Sequence, residues 1–196
     1  MLQKPIVYVS RITNLSDARY CAGMGVDMLG YIVDPHHEDY VSPARYQEMI
    51  GWISGPERVL EITTSKLDLH QLASEYLPDA LHIPLTIINA YESLELPLIL
   101  EIPFADWPTY RTKIQHFLPT VSHILITGLP KDATLKPSDN ANNHPILLAL
   151  DLDLGPLAPL LQKTKAQGFA LRGSRELTPG LKDYEHLSRV LEELED

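Results

Sequence analysis

The 196-residue chain has a single cysteine, Cys21. One thiol excludes an internal disulfide and fits a reducing compartment, so the expected location is the cytoplasm. Cys21 falls at a core-facing position of a helical pattern, which reads as a buried structural thiol rather than a nucleophile. No apolar run approaches the ~20 residues needed to span a bilayer, and the N-terminus has no signal-peptide core of adequate length. Positive charge is scarce: 16 Lys and Arg stand against 26 Asp and Glu, a formal net charge of -10. That balance argues against non-specific binding to nucleic acid or to an anionic membrane, both of which need a basic surface. No stretch follows the G-x-G-x-x-G or P-loop pattern, and no fixed-period repeat appears.

What is present is strand and helix in alternation. Short runs rich in Val, Ile and Leu fall at 5–10, 27–33, 57–63, 79–83, 96–102, 123–128, 145–150 and 168–173. They are apolar on both faces, as parallel strands covered by helices should be. Helical patterns fall at 14–24, 43–53, 66–76, 106–118, 156–167 and 183–195. Thr13 or Asn14 can cap the first of these, Ser42-Pro43 is a start signal for the second, and Asp183 can cap the last. The connections after strands four and six are irregular, and the polar stretch 129–145 reads as a mobile loop. Eight strands in βα alternation predict a single-domain α/β fold over 1–196, a (β/α)₈ TIM barrel with short loops. An open doubly wound sheet is the alternative.

Three stretches carry a resemblance. They are "YVSRITNLSDARYCAGMGVDMLGYIV", "YVSPARYQEMI" and "ELTPGLKDYEHLSRVLEEL". Together, and in this order, they resemble phosphoribosylanthranilate isomerase, a (β/α)₈ enzyme family of tryptophan biosynthesis. The match covers roughly residues 5–53 and 168–195, with "LH" at 81–82 between them. The resemblance implies an Amadori rearrangement of an aminoaldose to an aminoketose, with no cofactor and no metal. The family's base is a cysteine on strand one and its acid an aspartate at the end of strand six. An arginine after strand two holds the anthranilate carboxylate, and glycine-rich turns after strands seven and eight bind the phosphate.

Carried over residue by residue, the pattern is broken at four of these positions. The base falls on Ser10, whose alkoxide is too rare without an adjacent base. The glycine after it is Arg11. The acid falls on Thr127, which has no proton to give at a useful pKa; losing a positioned acid or base typically costs about 10²–10⁴ in rate. The carboxylate clamp falls on Asp39. Exchanging cation for anion at ~4 Å is a swing of about 2 kcal/mol in water, and more where water is excluded. After strand seven, Leu150 and Asp151 replace glycines that let backbone N–H groups approach a phosphate. The turn after strand eight keeps small residues, so Arg172, Gly173 and Ser174 could form an anion site with Arg11; pairing of Arg172 with a carboxylate is the equal alternative.

Strand alternation also leaves Glu61, His82, Glu101 and Arg172 inside or near the barrel, where charges are costly unless paired. Either they form a salt-bridged plug or they line a new pocket for a small anionic or phosphorylated metabolite. "HHED" at 36–39 reads as a solvated turn, and Asp151 with Asp153 is weak evidence for a divalent ion. The expectation is an isomerase-like barrel degenerate for the family reaction. The alternative is an active isomerase with relocated acid and base, for which Asp132 and His82 are the candidates. No partner protein can be named from the sequence.

Overall fold

The computed structural model describes residues 4–91, 95–110, 117–130, 133–135, 144–150, 157–173, 176–178, 181–182 and 185–195. Eight strands close into a barrel in chain order, each parallel to its neighbours. They are β1 (Ile6–Ser10), β2 (Met28–Ile32), β3 (Glu57–Glu61), β4 (Ala80–Pro84), β5 (Leu98–Pro103), β6 (Val121–Thr127), β7 (Ile146–Ala149) and β8 (Gly168–Arg172). Five helices lie among the described residues: α1 (Leu15–Gly23), α2 (Pro43–Ile50), α3 (Leu69–Tyr76), α4 (Leu157–Thr164) and α5 (Glu185–Glu195). The open-sheet alternative is excluded by the seam, where β1 and β8 pair in register from Ile6↔Gly168 to Ser10↔Arg172. Gly168 is required at that seam, because a Cβ there would collide with the Ile6 backbone.

The caps follow the side-chain chemistry. Asn14 takes the N-cap of α1, accepting the Asp17 N–H at 3.0 Å and donating to the Asp17 carboxylate at 2.8 Å. Ser42 caps α2 with Pro43 in its first turn, and Asp68 caps α3 by accepting the N–H groups of His70 and Gln71. Each side chain supplies an acceptor for N–H groups that have no carbonyl one turn back. Cys21 is fully buried under α1, and burial pushes its thiol up to about 12.

Some expectations need adjustment. Among its described residues the connection after β4 holds a 3₁₀ turn at Ile88–Ala90, as its irregular sequence suggested. The 106–118 pattern is flanked by 3₁₀ turns at Phe104–Asp106 and Leu118–Thr120; Tyr110 is helical, and 111–116 lie outside the description. Most of 129–145 lies outside it as well, with Leu129 and Leu135 buried at its described ends. Asp132, Asp151, Asp153, Ser174 and Asp183 are likewise outside the described residues. An antiparallel pair, β9 (Glu176–Thr178) with β10 (Leu181–Lys182), precedes α5, in a stretch to which the sequence patterns assign no strand.

Two layers pack inside and outside the sheet. Outside, Leu, Ile, Val and Tyr side chains fill the space between strands and helices, including Leu187, Val190 and Leu191 of α5. Inside, one residue from each strand forms a closed apolar ring: Tyr8, Met28, Val59, Ala80, Ile99, Leu125, Leu147 and Ala170. Side chains alternate along a strand, so the next inward position lies two residues on. That second ring is Ser10, Gly30, Glu61, His82, Glu101, Thr127, Ala149 and Arg172. It stands at the C-terminal end of the strands, where TIM barrels place their chemistry.

Candidate functional site

The second ring is polar because a chain of hydrogen bonds crosses the barrel. His82 on β4 is its centre. The Nε2 of His82 is 3.0 Å from Glu101 Oε2 on β5, and its Nδ1 is 3.1 Å from the Tyr8 hydroxyl of β1. On the other flank Glu61 Oε2 lies 3.9 Å from His82 Nδ1, and the Glu61 carboxyl and the Tyr8 hydroxyl converge beside Gly30, where the carboxyl acts on the phenol. The Arg11 N–H donates to Glu61 Oε1 at 2.6 Å. Tyr8, Glu61 and His82 are buried, while the Glu101 side chain is 30% exposed. The chain therefore runs from an enclosed carboxyl to one that meets solvent.

Its two carboxyls are pushed in opposite directions. Burial raises Glu61 above the usual carboxylate range, only partly offset by His82 and the Arg11 N–H. The hydrogen bond from His82 holds Glu101 below that range against partial burial, with Arg11 and Arg172 adding to the effect. Burial, reinforced by the charges of Glu61 and Glu101, holds the Tyr8 phenol well above its ordinary value. Divergent carboxyl acidities of this kind mark acid–base pairs in enzyme sites.

The rim is built differently. Arg11 follows the last residue of β1 with φ 58°, in the left-handed region that glycine enters freely and other residues enter at a cost. Its guanidinium Nη1 lies 3.6 Å from Asp39 Oδ2, and both side chains are about one-third exposed. The Asp39 N–H donates to His37 Nδ1 at 3.0 Å, so "HHED" forms a turn stapled to the rim. Among the described residues no group of three His, Cys, Asp or Glu side chains is placed to hold a metal ion.

The positions singled out by resemblance have specific partners. Ser10 Oγ donates to the Leu171 carbonyl at 3.1 Å, across the β1–β8 seam. Gly173 N–H donates to the Ser10 carbonyl at 2.7 Å, so it is turned to β1 and away from the mouth. A Cβ at Gly173 would press on the carbonyls of Arg11 and Ser10. Thr127 ends β6 two residues beyond the inward Leu125, on the same face as Glu101. Arg172 ends β8 with an exposed side chain. Thus Ser10, Glu61, His82, Glu101, Thr127 and Arg172 share one ring, with Arg11 and Asp39 at its edge. Tyr8 and Gly30 belong to the same site and were missed: Tyr8 reads as core in an apolar strand, and Gly30 matters only for the space it leaves. A Cβ at Gly30 would occupy the position of the Glu61 carboxylate and the Tyr8 hydroxyl.

No family model and no curated protein matches the sequence. Solved structures do. A phosphoribosylanthranilate isomerase in complex with reduced 1-(o-carboxyphenylamino)-1-deoxyribulose 5-phosphate superposes with a TM-score of 0.71 at 16% identity, covering 97% of this chain and 98% of that one. The fold is that of the phosphoribosylanthranilate isomerases. The Pyrococcus furiosus enzyme superposes at TM-score 0.69 and 11% identity, over 97% of this chain and 98% of that one. Orotidine 5'-monophosphate decarboxylase from Sulfolobus solfataricus follows at TM-score 0.66 and 8% identity, over 99% of both chains. A decarboxylase and isomerases on one barrel show that the scaffold leaves the reaction open, so the site residues must decide it.

Proposed function

We propose that this chain is a divergent phosphoribosylanthranilate isomerase-like barrel that no longer performs the Amadori rearrangement of its relatives. The observation that carries the reading is the Arg11–Asp39 pair. Where the resemblance places a cation for the anthranilate carboxylate, this chain has an anion, and the nearest guanidinium is 3.6 Å away on that anion. A substrate carboxylate would have to displace Asp39 from Arg11. Ser10, at the family's base position, has its hydroxyl directed at Leu171, and Thr127, at the acid position, carries no titratable proton. Losing both groups leaves little general acid–base catalysis for that substrate.

The ring still favours a small anionic or phosphorylated ligand, because Arg172 is exposed at the barrel mouth. The reduced compound bound in one of the neighbouring isomerase structures is a 5-phosphate, which supports the same class. A place in tryptophan biosynthesis is part of the resemblance and not of this proposal. A cytoplasmic location is proposed from the single buried thiol. No helix among the described residues is long and apolar enough to cross a membrane.

The alternative, an isomerase with relocated acid and base, draws its support from the His82–Glu101 hydrogen bond. The deciding experiment follows the fluorescence of freshly generated phosphoribosylanthranilate. The expected result is no turnover above the uncatalysed rate and no thermal stabilisation by a reduced product analogue. Turnover at rates ordinary for enzymes would overturn the proposal and return attention to Asp132 and His82.

A further inference from the structure

The hydrogen-bond chain through the barrel has a property that no single residue in it has. Its ends are two carboxyls, and every link between them can reverse. With the proton on Glu61, the Glu61 O–H donates to Tyr8, the Tyr8 O–H to His82 Nδ1, and His82 Nε2–H to Glu101. With the proton on Glu101 the donors all point the other way: Glu101 O–H to Nε2, Nδ1–H to Tyr8, Tyr8 O–H to Glu61. The two arrangements contain the same number of protons and keep the imidazole neutral, differing only in its tautomer. The separations of 3.0 and 3.1 Å around His82 suit proton exchange along both of its bonds.

We propose that Glu61, Tyr8, His82 and Glu101 form a proton relay. At its open end, Glu101 is the acid–base group for a small anionic hydroxycarbonyl compound held at the barrel mouth by Arg172. The surroundings support each end. The Arg11 N–H, 2.6 Å from Glu61, stabilises the charge that appears there when the proton leaves. Arg11 and Arg172 both act on Glu101, and His82 holds it ionised in the resting arrangement. Asp39 balances Arg11 at the rim, which leaves Arg172 as the cation facing Glu101 without an ion-pair partner of its own within 4 Å among the described residues. Burial favours the proton on Glu61 at rest, so Glu101 is poised as the carboxylate.

The chemistry balances within the site. The relay shifts a proton to Glu101, which protonates the ligand's carbonyl oxygen. As a carboxylate again, Glu101 removes the proton from the adjacent carbon. The C–H electron pair becomes the C=C bond of an enediol and the C=O π pair becomes a lone pair on oxygen. Reversal restores a carbonyl compound, and any proton lost from the exposed Glu101 to water returns as deuterium in heavy water. Nothing in the step needs the aryl carboxylate of the relatives' substrate. The inference rests on the mouth being a ligand site, and turnover of phosphoribosylanthranilate would end the preceding proposal without touching this one.

Two measurements test it on the full chain. Site-resolved carboxyl NMR titration reads the relay directly. Coupled groups share macroscopic steps, so the signals of both Glu61 and Glu101 are expected to move in each of two steps. In Tyr8→Phe, which removes only the hydroxyl, each is expected to move in one. Single-step titrations in the unaltered protein would overturn the relay. If Tyr8→Phe does not fold, Glu61→Gln reads the same coupling through Glu101. Proton NMR in heavy water, with ribose phosphate, ribulose phosphate and glyceraldehyde phosphate as probes, reads the chemistry. Exchange of the hydrogen next to the carbonyl is expected for at least one, abolished in Glu101→Gln and slowed at least tenfold in Tyr8→Phe. No exchange with any probe, or exchange unaltered by Glu101→Gln, would overturn the assignment of Glu101.

Discussion

The space that a side chain on Gly30 would need is filled by the carboxylate of Glu61. The two residues lie on neighbouring strands, and the absent Cβ of one makes room for the charged group of the other. A Gly30→Ala chain must push Glu61 and Tyr8 aside in a packed interior. Overpacking of this kind costs about 1–3 kcal/mol. Chemical denaturation of Gly30→Ala should show a loss in that range, and an unchanged midpoint would mean the ring has slack.

The buried Glu61 sets a pH dependence with a definite sign. Its folded-state acidity lies above the unfolded one, so its contribution is fully present below the unfolded carboxylate range. It is lost as pH rises through the folded value, because the charged form is the one that burial penalises. Glu61→Gln keeps the shape and removes this term. Its melting temperature, compared with that of the unaltered chain, should therefore rise progressively as pH is raised from the acid end.

Asp79 supplies the opposite sign at the other end of the barrel wall. The Arg58 side chain donates to it through Nε and Nη2, both at 2.8 Å, and the Arg58 backbone N–H adds a third bond at 2.8 Å. These bonds hold the Asp79 carboxyl below its ordinary value. More than a third of each side chain is exposed, so solvent screens the pair. Asp79→Asn should cost about 1 kcal/mol near neutral pH. The stabilisation from the depressed carboxyl is present above the unfolded value and lost as pH falls through the folded one. The difference between the two chains should shrink on acidification and in high salt.

Cys21 should behave as an inert core group. It is fully buried, with the thiol raised to about 12 by burial and by the charge of Asp17. The thiolate is the reactive form, so labelling by an aromatic disulfide at neutral pH should wait for unfolding. Its rate should follow denaturant as the unfolding equilibrium does. Rapid labelling of the native chain would show that α1 opens independently.

The barrel was legible in the sequence because its strands are buried on both faces and write themselves as short runs of Val, Ile and Leu. The same alternation put Glu61, His82 and Glu101 inside or near the barrel, without saying which of them face inward. What escaped was partnership. Tyr8 and His82 stand 74 residues apart in the chain, and strand periodicity carries no information about which hydroxyl meets which ring. The β9–β10 pair escaped too, although the Pro179-Gly180 dipeptide between its strands is a turn signal. Gly30 gave no local hint, because its role is a volume shared with another strand.

Arg11 bears on how such a mouth can change over generations. Its backbone holds a conformation that suits glycine, the residue the resemblance places there, while its side chain neutralises Asp39. Returning to glycine would ease the turn by about 1–2 kcal/mol. The same exchange would leave Asp39 at the rim without its guanidinium partner. Reversing Asp39 first would set two cations face to face. Each one-step route back toward a carboxylate-binding mouth therefore crosses an electrostatic penalty, and the rim works as a ratchet with a single tooth.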